Sequence, residues 1–128
     1  MPLDITKVYR ITDEATAGKW FDVGNGARLK VAKGGNERHE NALKRLRRPY
    51  RNMRNIPDDV VDRITIQAMG EAILIDWEGI EENGTPVKST MEKRVEYLTT
   101  YPDFKEQVAN ISMNFRNFSA DEEHDVKN

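Results

Sequence analysis

Between Pro57 and Trp77 the chain is apolar on two sides, and this limits its possible folds more than any other stretch. Pro57 followed by Asp58 and Asp59 reads as a helix start. Proline is tolerated in the first turn, and acids favour the positive end of the helix dipole. Wound as a helix, Val60, Val61, Ile64, Ala68, Ala72 and Ile75 share an arc of roughly 120°. Ile66, Met69, Ile73 and Trp77 take nearly the opposite side. A helix apolar on two flanks packs on two flanks. One flank suits the domain's own core. The other predicts a cover of further helices or of a partner, with Ile66, Met69, Ile73 and Trp77 as candidate partner-binding residues. Methionine and aromatic side chains suit adaptable apolar recognition of a partner helix. An ordinary central core helix is the simpler account of the same pattern.

The flanking segments say what such a helix packs against. Lys19–Val23 and Ala27–Ala32 read as strands, and Ala27, Leu29 and Val31 alternate with Arg28 and Lys30. Gly24-Asn25-Gly26 between them supplies the positive φ of a tight hairpin. Lys33-Gly34-Gly35 breaks the second strand, and Asn36 is placed to cap a helix over Glu37–Tyr50. Trp77-Glu78-Gly79 is the expected end of the central helix, and Asn83-Gly84 reverses the chain. Ser89-Thr90-Met91-Glu92 matches a capping box with Ser89 as cap, opening a helix to about Thr100. After Pro102 a last helix carries Phe104, Val108, Ile111, Phe115 and Phe118 at +4, +3, +4, +3. Such a stripe packs on another helix, and Phe115 and Phe118 are further candidates for partner contact. The predicted fold is α+β: an N-terminal β-hairpin followed by a bundle of about four helices. Residues 1–16 are expected as a flexible or extended arm, 17–118 as a single domain and 119–128 as a disordered acidic tail.

Composition narrows the function. A chain of 128 residues with 38% hydrophobic and 33% charged side chains suits one small domain with solvated faces. The absence of cysteine excludes disulfides, thiol nucleophiles and thiolate metal sites. No apolar run approaches the roughly 20 residues that span a bilayer, and the N-terminus lacks the apolar stretch of a secretory signal. A cytoplasmic location without membrane contact follows as an expectation. Net charge is −2, but its distribution is uneven. Seven Lys/Arg fall between Glu37 and Arg54 against two acids, and eight acids fall between Asp58 and Glu82 against Arg63 alone. Two such segments tend to pair within the fold or between copies, the second of which would make a homo-oligomer.

Catalytic and metal chemistry find little purchase. His39 and His124 are the only histidines, and neither has a second ligand at metal spacing. Gly24-Asn25-Gly26 lacks the third glycine and the following helix of a dinucleotide loop. Asp76, Glu78, Glu81 and Glu82 flank or follow Trp77 with no base, nucleophile or oxyanion donor near in sequence, so they read as solvated acids. No enzyme and no cofactor is expected. The basic run offers Arg45, Arg47, Arg48, Arg51 and Arg54 around Tyr50 for electrostatic contact with phosphates, with stacking on the ring. Overall acidity favours pairing with the acidic helix instead, so nucleic acid is the less favoured partner.

Two stretches together carry a resemblance: "FDVGNGARLKVAKGGNERHENALKRLRRPYR" over Phe21–Arg51 and "AILIDWEGIEENGTPVKSTMEKRVEYL" over Ala72–Leu98. A tryptophan followed by a short acidic loop, Gly-x-Pro-Val and a capped helix is similar to the small tail assembly chaperones of long-tailed, siphovirus-type bacteriophages and prophages. The likeness spans roughly residues 19–118 and rests on loose patterns at Trp77, Gly79, Gly84, Pro86 and Val87, with Gly26, Ala27 and Leu29 in the hairpin. It implies a non-enzymatic role: binding the long helical tape measure protein and keeping it soluble until tail tube protein polymerises around it. Those positions are expected to be structural. The competing expectations are a structural head–tail joining or tail-completion protein, and a small nucleic-acid-binding regulator using the basic helix 38–54.

Overall fold

The computed structural model describes residues 2–120. The predicted hairpin forms from β1 (Lys19–Gly24) and β2 (Ala27–Val31), paired antiparallel with Phe21 opposite Leu29. Asn25 and Gly26 both hold positive φ, 56° and 76°, as a two-residue turn of the hairpin type requires. Ala27, Leu29 and Val31 are buried, while Arg28 and Lys30 point to the other face, where both lie over the Trp20 ring. The hairpin is followed by four longer helices: α3 (Glu37–Arg47), α4 (Asp58–Ala72), α5 (Met91–Thr100) and α6 (Pro102–Met113). The α+β class and the hairpin-then-helices order therefore hold.

The central helix is shorter than its pattern predicts. It stops at Ala72, and Leu74–Glu78 forms β3, which pairs antiparallel with β2 and sets Trp77 opposite Leu29. The sheet order is β1-β2-β3. Ile73-Leu74-Ile75-Asp76-Trp77 is a short apolar run of β-branched and aromatic residues, which periodicity alone does not assign. The open edge of β2 decides the matter, because a lone hairpin is marginal and a third strand satisfies its backbone groups. Asn36 holds the junction. Its side-chain oxygen accepts from the His39 N–H to cap α3, and its amide donates to the Lys33 and Ala72 carbonyls.

Beyond β3 the chain crosses Gly79, which has φ +75°; a Cβ there would lie 2.6 Å from the Gly26 carbonyl oxygen. Only glycine lets the strand end pass so close to the hairpin turn. Two short strands, β4 (Glu81–Glu82) and β5 (Thr85–Pro86), then turn at Asn83-Gly84 as the sequence suggests. The cap of α5 is Thr90, whose hydroxyl accepts from the Lys93 N–H; Ser89 instead accepts from Arg94. Arg94 also donates to the Gly70 carbonyl, tying α5 to α4 where Val95 sits against the bare Gly70. The last helix breaks at Asn114, and Phe115–Phe118 forms a separate 3₁₀ turn.

The segment expected as an arm has local structure. It holds two one-turn helices, α1 (Ile5–Val8) and α2 (Glu14–Ala17). Ile11 bridges to Ser119, and the Ala120 N–H donates to the Arg10 carbonyl. Ser119 and Ala120, the first two residues of the expected acidic tail, are thus paired; the rest of that stretch, with His124, lies outside the described residues. No helix among the described residues is long and apolar enough to cross a membrane.

Candidate partner-binding surfaces

The second apolar flank of the central segment is not open. Met69, Ile73 and Trp77 are 7%, 1% and 5% exposed and belong to one core with Leu29, Val31, Leu74, Tyr97, Leu98 and Val108. Phe118 is 1% exposed and meets Phe21 edge to face. Four of the six candidate contact residues are therefore core: the sheet and α5–α6 close over Met69, Ile73 and Trp77, and Phe118 is buried against β1. Ile66 is half-buried against the core, and Phe115 is half-buried with Tyr9 stacked on it at 5.1 Å.

A different surface lies where β3, the β4–β5 turn and the two last helices meet. Trp77 Nε1 donates to the Val87 carbonyl at 2.8 Å, and the Val87 N–H donates to the Ile80 carbonyl, so the loop is wrapped on the indole. Tyr97 stacks on Trp77 with ring centres 5.4 Å apart, and Tyr101 meets Tyr97 edge to face at 5.8 Å. Ile80, Tyr97, Tyr101 and Phe104 line a groove of about 360 Å³, with Glu81, Glu82 and Asn83 on its rim. The Tyr97 hydroxyl donates to Glu82, and burial together with that carboxylate holds its phenol above the usual range. Tyr101 is 51% exposed. This groove was missed from the sequence, although Tyr97, Tyr101 and Phe104 follow one another at +4 and +3 across the Pro102 break.

Three of the four acids around Trp77 have a partner among the described residues. Asp76 accepts from the Trp77 N–H, Glu78 pairs with Arg28 across β2–β3, and Glu82 meets Tyr97 and Lys93. Among the basic candidates Arg45 pairs with Glu71 of α4. Arg47, Arg48, Arg51 and Arg54 are exposed and make no ion pair among the described residues. His39 is half-buried, and its Nδ1 accepts the Gly35 N–H at 3.0 Å. Burial first, with Arg47 adding to it and Glu40 opposing it, lowers its pKa below the ordinary 6.5.

The pattern of the YdaY prophage protein family matches residues 34–128. The chain belongs to that family. The matched stretch leaves out β1 and β2 and takes in both the aromatic groove and the basic segment, so both surfaces lie in the part the YdaY family shares. No curated protein and no solved structure matches the chain.

Proposed function

We propose that this YdaY family chain works without catalysis as a tail assembly chaperone. In the host cytoplasm it holds the tape measure protein soluble, and tail tube protein later displaces it. The groove carries the proposal. Five of the residues behind the tail-chaperone resemblance, Trp77, Gly79, Gly84, Pro86 and Val87, lie in the strand end and loop next to an apolar trough lined by Ile80, Tyr97, Tyr101 and Phe104. A trough of aromatic rings with polar edges suits the apolar stripe of an amphipathic helix. Membership of a prophage family agrees with a role in phage assembly. Ile66 and Phe115, the two original candidates left partly exposed, are secondary contacts.

Co-expression with tape measure fragments tests this. The wild type keeps the fragment in the soluble fraction and co-purifies with it. Tyr101→Asp, at an exposed position, folds normally and loses the fragment. Equal capture by the folded variant would remove the groove as the client site. Recovery of the protein in purified particles would favour a head–tail joining role instead.

A further inference from the structure

The end of α3, the 3₁₀ turn Arg48–Tyr50 and the connector to α4 present a cationic surface that the client groove does not use. Lys44, Arg47, Arg48 and Arg51 stand around Tyr50, with Met53 and Ile56 completing a groove of about 480 Å³. Tyr50 also helps line a second groove of about 290 Å³ with Arg45, Leu46, Pro49, Arg63, Ile64 and Gln67. The ring is thus a wall shared by the basic trough and a more apolar one, and its hydroxyl is held by a hydrogen bond from Arg63 at 3.2 Å.

The simplest fate of these charges is neutralisation by the acids of α4, and it is largely not realised. From residue 44 to 63 there are seven cations, Lys44, Arg45, Arg47, Arg48, Arg51, Arg54 and Arg63, against Asp58, Asp59 and Asp62. Those three acids are exposed and make no ion pair among the described residues; only Arg45 is paired, with Glu71. The local excess is positive in a chain of net charge −2. The cations are also mostly arginine, whose flat guanidinium fits phosphate through paired hydrogen bonds and stacks on rings.

We propose that this surface binds single-stranded nucleic acid, with the phosphate backbone along Arg47, Arg48 and Arg51 and a base against Tyr50. Arginines beside an aromatic wall are the combination that single strands use, and the recognition is tolerant of sequence because every base offers a flat face. Met53, 47% exposed, extends the apolar wall. An acidic peptide would engage the arginines alone and leave the Tyr50–Met53 wall idle.

Fluorescence anisotropy with a short fluorescein-labelled oligo(dT) tests the proposal on the full chain. Binding is expected at low salt, weakening between about 50 and 200 mM. In the Arg47→Gln, Arg48→Gln, Arg51→Gln triple variant the log–log salt slope falls by about two, since each single-strand phosphate contact contributes roughly 0.7. Tyr50→Leu binds about tenfold more weakly at constant salt. Tyr101→Asp binds as the wild type does, which separates this site from the client groove. No binding at low salt, an unchanged slope in the folded triple variant, or equal competition by polyglutamate of matched charge would each overturn it.

Discussion

The aromatic groove and the cationic surface sit on one small domain but are made in opposite ways. The groove is an outcrop of the core. Tyr97 is both a core residue and a groove wall, and it stacks on Trp77, which in turn fixes the loop through Val87. The cationic surface hangs on a helix end, a 3₁₀ turn and a connector, and apart from Arg45 its arginines have no ion-pair partner among the described residues. The shape of the first is inseparable from folding, whereas the charge of the second is nearly independent of it. Substitutions should therefore split: those under the groove change stability, and those on the cationic rim change contacts only.

Trp77→Ala is the strongest way to sharpen that contrast. It removes a buried ring, its stack on Tyr97 and the bond to the Val87 carbonyl, and large aromatic truncations of this kind cost roughly 3–5 kcal/mol. Urea denaturation should show the loss, with the groove loop becoming protease-sensitive. A loss below about 1 kcal/mol would mean that the indole does not anchor the groove. A second, smaller effect concerns the start of α5. Thr90→Ala should cost about 1 kcal/mol because its hydroxyl caps the helix. Ser89→Ala should cost less, since Ser89 only orients Arg94. The reverse order would restore the capping box read from the sequence.

The sequence made the hairpin legible because its alternation and its Asn-Gly turn are local signals with one physical meaning. Asn36, the end of α5 near Thr100 and the reversal at Asn83-Gly84 were legible for the same reason. Ile73–Trp77 was not. Its apolar residues fit a helix and a strand equally, and the choice depends on the open edge of β2, some forty residues away in the chain. The error carried over to function, because a helix ending at Trp77 leaves Met69, Ile73 and Trp77 on an open flank and a strand buries them. The groove was hidden because its wall is split between two helices and a turn. The basic residues were visible as a run, but whether they were neutralised could be read only from where the acids of α4 point.

His39, in the first turn of α3, lines neither surface, and its effect is smaller and depends on pH. Its neutral ring accepts the Gly35 N–H, and burial holds its pKa below the ordinary 6.5. The folded chain then binds fewer protons than the unfolded one as acid is added. The stability it contributes is complete above 6.5 and is lost as pH falls from 6.5 towards the lowered folded value. His39→Gln abolishes that titration. Measured by urea midpoints, the wild type should lose more stability than the variant between about pH 7.5 and about pH 5.5. Parallel losses would show that the ring is not held neutral by the fold.

The smallest expected effect bears most directly on the comparison. The Arg47→Gln, Arg48→Gln, Arg51→Gln triple variant should unfold within about 0.5 kcal/mol of the wild type, as surface changes that break no cap, cavity or buried pair generally do. The three arginines face solvent and make no ion pair among the described residues, so their removal frees no buried partner. It also relieves repulsion among like charges crowded around Tyr50, and a slight gain in stability at low salt that fades at high salt would fit. A loss of several kcal/mol would mean that the cationic rim is part of the fold, pinning the connector to α4. The arginines would then have a structural reason to be there, and the division between a groove made by folding and a surface kept for contact would fail on this side of the molecule.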